Sequence, residues 1–333
     1  MTMERLWAKN RVAVILTAAL VVGMYIFWFM GKARAESMLT SAWGFAVPLI
    51  LAALVGVVGE RSGVVNIGIE GQMLISAFAA FFGAALTGSL LLGVLFGLGA
   101  GMVLGGFLAW TAVKWQTDQI IAGVVINIVA TGITSFYYKQ GQTLPGVFPR
   151  WEIPLLSKIP LVGPVFFANG PFALATILIV IVLNYLLFRT RWGLRTRAIG
   201  EYPQAADTAG IDVIRMRLVN VTLAGLLAGA AGAFLSMEAS STFERGMTAG
   251  RGFLALAIMI FGAWKPLQAA AAALFFGFAQ AIASQLQADK VVAIPQQIIN
   301  TLPFVLTLVV LAVAAGRVRA PAAEGVPFVK GQG

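Results

Sequence analysis

Gly71 to Val113 reads GQMLISAFAAFFGAALTGSLLLGVLFGLGAGMVLGGFLAWTAV, 43 residues without a charge. A helix crossing a hydrocarbon core of about 30 Å needs about 20 apolar residues, so the stretch is long enough for two spans. Thr87-Gly88-Ser89 supplies the only turn chemistry in its middle. The stretch therefore reads as a membrane hairpin of two helices. The rest of the chain agrees, with 59% hydrophobic and 11% charged residues and a mean hydropathy of +0.90 over 333 residues. Soluble domains run at about 45–50% apolar and about 25% charged, so these side chains cannot cover a water-facing surface.

Cutting at charges, prolines and Gly-polar clusters predicts an all-α polytopic integral membrane protein with about ten transmembrane helices in one domain over 1–333. The spans fall near 12–30, 40–58, 64–86, 90–112, 118–138, 171–189, 218–240, 250–264, 266–286 and 296–315. The eighth is short, since 13 residues separate Arg251 from Lys265. It either extends outward past Arg251 or is a partial helix that stops inside the membrane. With the N-terminus inside, 15 of the 23 Lys and Arg fall in cytoplasmic loops and 8 outside, which places both termini in the cytoplasm. Ala33-Arg34-Ala35 has the look of a signal-peptidase site, but the apolar stretch 12–30 is longer than the 7–15 residues of a signal peptide. The first helix is expected to be retained.

The chain has no Cys and no His. Thiolate nucleophiles, Cys/His zinc sites, Ser-His-Asp triads and histidine proton relays are excluded together, and no catalytic or metal site is expected. The net charge of +10 comes from basic residues in short loops between apolar runs. It reads as a topology signal and a contact with anionic lipid rather than with nucleic acid.

Two connections are about thirty residues long. The outer one, 139–170, holds Pro145, Pro149, Pro154, Pro160 and Pro164 interleaved with aromatics, a spacing that excludes regular helix. It reads as a cap over the outer helix ends, or as a docking surface or gate. The inner one, 190–217, is rich in arginine. Its middle, Glu201 to Ala209, suits a short helix with Pro203 in its first turn and Gly210 at its end.

Three stretches, taken in order, resemble the permease subunits of bacterial ATP-binding-cassette (ABC) importers for nucleosides and simple sugars, a branch of the branched-chain amino acid, ribose and nucleoside permeases. Val57 to Gly71 (VVGERSGVVNIGIEG) is similar to the family's ERSGVxNxGIEG motif. Ala198 to Ile211 (AIGEYPQAADTAGI) resembles its coupling loop. Gly250 to Ala257 with Gly262-Ala263-Trp264-Lys265-Pro266 resembles its late signature, except that many relatives carry Asn where this chain has Lys265. That departure bears on the inner loop contact more than on the substrate class.

The resemblance implies a permease in the bacterial inner membrane that works by alternating access. Its partners would be a separate ABC ATPase subunit, which binds the ATP and Mg, a second permease forming a heterodimer, and an extracytoplasmic substrate-binding protein. This chain would hold no cofactor. It lacks a GxxxxGK[ST] loop. The coupling contact falls on Gly200, Glu201, Ala205, Ala206, Gly210 and Ile211.

Ionisable groups at membrane depth default to function, and Glu70 is the clearest. Read on a helix starting near Val64, it lies about 9 Å into the span, with Asn66 one turn below it and Gly68 and Gly71 permitting a break or a close backbone approach. Glu70 is either part of a substrate pathway or a buried structural carboxyl paired with Arg61 or a backbone N–H. Asn127, Thr131, Thr134, Ser135 and Tyr138 form a polar stripe on the fifth span. Gln280, Ser284 and Gln287 form another on the ninth, and Gln296, Asn300 and Thr307 a third on the tenth. These stripes are helix–helix glue or neutral partners for a hydroxyl-rich solute. The pathway candidates are Asn66, Glu70, Asn127 and Thr131. The alternative function is an ion-coupled secondary transporter of a small polar solute using Glu70. Gly97, Gly101 and Gly105, and Gly225 and Gly229, have the small-xxx-small spacing of close helix packing.

Overall fold

The computed structural model describes residues 31–288 and 319–330, together with residues 301 and 305. The expected spans 12–30 and 296–315, with Gln296, Asn300 and Thr307, lie outside the described residues. The helices are α1 (Lys32–Arg61), α2 (Ile69–Thr87), α3 (Leu90–Val113), α4 (Gln119–Tyr137), α5 (Pro171–Arg189), α6 (Arg191–Glu201), α7 (Pro203–Thr208), α8 (Val213–Ala233), α9 (Arg251–Phe261) and α10 (Pro266–Ala288). A π-helical turn, Phe234–Ala239, prolongs α8.

Seven of the described helices are long and apolar enough to cross a membrane: α1 to α5, α8 with its π-helical turn, and α10. The protein is a mostly helical, multi-pass membrane protein. The exposed side chains of α3, α4 and α5 include Leu95, Val103, Ile128, Val129, Leu178 and Ile181, faces that suit lipid or another membrane subunit.

Local chemistry sets the helix ends. Gly88 takes a left-handed conformation (φ 68°) that ends α2, and the Ser89 hydroxyl accepts from Leu92 N to start α3. Asp118 caps α4 through Ile120 N and Ile121 N at 2.8 and 3.0 Å, and Asp212 caps α8 through Arg215 N at 2.9 Å.

Four boundaries differ from those expected; one is that α8 starts at Val213 rather than near 218, because Asp212 caps it ahead of its two arginines. The α1 helix begins at Lys32 rather than near 40, because charges at a helix end that faces water do not stop the helix. The chain from 62 to 68 is a turn followed by irregular backbone, so α2 starts at Ile69 and not at Val64. Most of the first half of the 190–217 loop is helix α6, started by the Thr190 side chain accepting from Gly193 N. In the outer loop, β1 (Trp151–Glu152) and β2 (Ala168–Asn169) pair antiparallel.

The core forms around α1. Leu49, Ile50, Leu51, Leu54 and Val55 are buried, enclosed by α8, α9 and α10 with help from α2 and α5. Beside this, α3 and α8 touch backbone to backbone. A Cβ on Gly101 would lie 2.3 Å from the Gly225 carbonyl oxygen and 2.5 Å from Gly229 N, so only glycine fits that crossing.

Candidate functional site

The irregular segment 62–68 brings three of the expected pathway residues together. Asn127 on α4 staples it. Its Oδ1 accepts from Gly71 N at 2.7 Å, and its Nδ2 donates to the Ile67 carbonyl at 3.0 Å. Gly71 allows this approach, since a Cβ there would stand 2.8 Å from Asn127 Cα. Asn66 is buried and donates to Gln72 Oε1 at 3.1 Å. It is not one turn below Glu70 on a common helix face, because the backbone at Asn66 is not helical. Thr131 is exposed and its hydroxyl turns back to the Asn127 carbonyl, so it stands apart from the other three.

Glu70 lies in the first turn of α2 and serves another helix. Its two oxygens accept from Gly250 N at 2.8 Å and Gly252 N at 2.6 Å, satisfying N–H groups that α9 leaves unpaired at its start. The two glycines of the Gly250-Arg251-Gly252 signature have separate reasons. Gly250 is left-handed at φ 79°, and a Cβ on Gly252 would fall 2.4 Å from Glu70 N. Helix α9 has 11 residues and is therefore about 16 Å long, too short to cross. It starts beside the first turn of α2, where Glu70 accepts from its first N–H groups.

The other end of α9 meets Arg61. Arg61 Nε donates to the Trp264 carbonyl at 3.0 Å and Nη2 to the Ala263 carbonyl at 3.2 Å, while Nη1 stands 3.8 Å from Glu201 Oε1. Ala263 and Trp264 are both left-handed at φ 52°, an uncommon conformation for residues with a Cβ. The Trp264 indole N–H donates to Glu60 Oε2. Arg61 is thus not the partner of Glu70; it ties the end of α9 to the 190–217 loop.

Of the expected coupling residues, half face inward and half outward. Gly200 lies on the backbone of Arg61, where a Cβ would come within 2.2 Å of the Arg61 carbonyl oxygen. Ala206 is buried in a small cluster with Ile199, Val213 and Phe328, against which Ile211 packs. Glu201, Ala205 and Gly210 are exposed, Gly210 at φ 82° just beyond the end of α7.

Phe328 belongs to a segment that the sequence reading passed over. Residues 319–330 form a strap across the 62–68 segment and the end of α6. Ala323 N donates to the Gly200 carbonyl at 2.9 Å, Gly325 N to the Gly63 carbonyl at 3.2 Å, and Ala322 N to Glu201 Oε2 at 3.3 Å. Arg217, read as a loop charge, is 2% exposed and donates to the Val326 carbonyl at 2.8 Å. The strap and α7 border a groove of about 390 Å³ lined by Lys114, Asp207, Asp212 and Lys330 among others. A usable signal was present: Pro321, Gly325 and Pro327 punctuate a short segment ending in an aromatic.

Residues 38–313 match the family described as branched-chain amino acid transport system / permease component. The chain belongs to this permease family. It is 40% identical over 304 residues to the guanosine ABC transporter permease protein NupQ of Bacillus subtilis, covering 86% of this chain and 95% of that one. It is 38% identical over 301 residues to the nucleoside ABC transporter permease protein NupC of Lactococcus lactis, covering 86% and 94%. A solved structure described as an inward-facing metal-chelate type ABC transporter aligns with a TM-score of 0.50 at 17% identity, covering 90% of this permease and 97% of that chain. That likeness is one of fold. The ion-coupled reading finds no support in these relatives, and both oxygens of Glu70, its one good coupling group, are engaged by backbone N–H groups.

Proposed function

We propose that this permease is the membrane subunit of an ABC importer carrying nucleosides, or a related small sugar-containing solute, across the bacterial cytoplasmic membrane. Its partners are a separate ATPase, which binds ATP and Mg, a second and non-identical permease, and an extracytoplasmic binding protein. Bond cleavage belongs to the ATPase, and this chain carries no cofactor. The nucleoside reading is supported by the named substrates of NupQ and NupC. Both ends of the chain lie in the cytoplasm, with about ten spans once 12–30 and 296–315 are counted. The 15-to-8 distribution of basic residues supports this, as does the strap, which shares the face of the 190–217 loop.

One observation carries the mechanism: the Arg61 guanidinium touches Glu201 and the end of α9 at once. Closure of the ATPases moves α6 and α7; Arg61 passes that movement to α9, and α9, as a short rigid rod, delivers it to the Glu70 clamp. Asn66, Glu70 and Asn127 hold the broken segment beside the path, and Thr131 lines its partner-facing side.

The test is a pull-down of tagged permease from detergent-solubilised membranes, scored by mass spectrometry for an ABC ATPase and repeated with Glu201→Lys and Asp207→Lys. Recovery of an ATPase that the reversals weaken is expected. A permease that purifies without one, under conditions that preserve a known ABC complex, would overturn the importer reading.

A further inference from the structure

The outer half of α1, strand β2, the π-helical turn after α8 and the start of α9 enclose a half-open cavity of about 360 Å³, within the range of roughly 300–1,000 Å³ typical of small-molecule sites. Thr40 to Pro48 line one side of it. Pro48 stands thirteen residues, or about 20 Å, from the Arg61 end of α1, which places the cavity in the outer half of the membrane, with Phe148, Arg150 and Asn169 of the outer loop in its wall.

Its walls are aromatic, from Trp43, Phe148 and Phe234, and its polar groups include Thr40, Arg150, Asn169, Glu238 and Arg251. Trp43 is held edge-on against Phe166, with ring centroids 5.1 Å apart. Two lining residues carry buried donors with no partner: the indole N–H of Trp43, a residue 4% exposed, and the Nε–H of Arg251. A buried donor without an acceptor is costly and uncommon, and here two border one space. Among the described residues, the cavity holds no free carboxylate for a cation. Both Glu238 oxygens accept from the start of α5, at Phe172 N (2.8 Å) and Ala173 N (3.2 Å). The charge of Arg251 is tied down as well, its Nη1 donating to the carbonyls of Met247 and Thr248.

From this we infer that the cavity is a binding site for the transported solute within this subunit, built for a molecule with a flat ring and several acceptors, the chemistry of a purine nucleoside. The ring lies against Trp43, and ring nitrogens, carbonyl or hydroxyl oxygens accept from Trp43 and Arg251. An acyl chain would fill the apolar part and leave both donors unpaired. Discontinuous helix ends near the middle of a membrane are where transporters place substrate, and the start of α9 is such an end. The inference rests on the importer reading above and adds the location of the solute to it.

The experiment uses the reconstituted complex of both permeases, ATPase and binding protein. It measures uptake of radiolabelled guanosine and photolabelling by an azido-purine nucleoside, with labelled peptides mapped by mass spectrometry. Trp43→Phe keeps the ring and removes the donor; it is expected to slow uptake by about tenfold, as loss of one buried hydrogen bond implies, while the ATPase still co-purifies. Trp43→Ala should abolish labelling of the peptide containing residues 40–48, which excess guanosine should protect in the unaltered complex. Normal uptake in both variants, labelling that maps elsewhere, or a phospholipid in the cavity that guanosine does not displace would overturn the inference and leave the importer reading standing. An unaltered complex that imports no nucleoside would sink both.

Discussion

Arg61 Nη1 stands 3.8 Å from Glu201 Oε1, while the other two guanidinium nitrogens hold the carbonyls of Trp264 and Ala263. The Glu201 side chain is 53% exposed, so the ion pair by itself contributes little to stability. Its value is positional: one rigid planar group registers a surface loop against the end of a buried half-helix. Arg61→Lys should break that registration, since a single ammonium cannot hold three acceptors in one plane. Uptake is expected to fall about tenfold or more, as charged hydrogen bonds of this kind imply, with the ATPase still recovered in the complex. Uptake at the unaltered rate in reconstituted vesicles would show that Arg61 is not the link.

Glu70 supplies both acceptors at the start of α9. Glu70→Gln retains one oxygen and leaves one of the two N–H groups without a partner, a loss of about 1–3 kcal/mol. The thermal unfolding midpoint of the purified protein should drop accordingly, and Glu70→Ala should drop it further. If Glu70 instead carried protons for transport, the Gln variant would unfold normally and lose uptake alone.

At the crossing of α3 and α8, Gly101 has no room for a methyl group, whereas a Cβ on Gly99 would meet nothing within 4 Å. Gly101→Ala should destabilise by about 1–3 kcal/mol through forced separation of the helices. Gly99→Ala should be neutral or stabilising by up to about 1 kcal/mol, because alanine is the better helix former. Comparable unfolding midpoints for the two variants would contradict the packing described.

Glu324, on the strap, meets the Glu60 carboxyl. Burial pushes the Glu324 carboxyl above its ordinary value of 4.5. A carboxyl whose pKa is higher in the folded state than in the unfolded one favours folding most when protonated. The strap is therefore held best in acid and loosens as pH rises from about that ordinary value through the raised one. Limited proteolysis should cut residues 319–330 faster at alkaline than at mildly acidic pH, and Glu324→Gln should flatten the difference. Equal cleavage at both pH values in the unaltered protein would count against it.

Much of this architecture was legible in the sequence, because apolar length and loop charge report directly on a bilayer. Gly71 to Val113 declared its hairpin through Thr87-Gly88-Ser89, and Pro203 and Gly210 marked α7. What local pattern cannot carry is a partner distant in the chain. Glu70 and Asn127 stood out as polar groups at depth, yet nothing local to Glu70 shows that it caps a helix 180 residues away. Asn66 was misplaced because the periodicity of the helix was extended back through Gly68. Arg217 looked like any arginine flanking a span, and its burial depends on the strap, which lies 109 residues further on.

The strap also orders events in time. Glu201 and Ala322, which bond to each other, are 121 residues apart in the chain, so a ribosome makes the 190–217 loop well before the segment that braces it. Contacts of such long separation form late in folding. A nascent or prematurely terminated chain could insert its spans and still present an unfinished inner face. A chain that stopped short of the strap would leave the Gly200 carbonyl without its donor and the buried Arg217 guanidinium without the Val326 carbonyl.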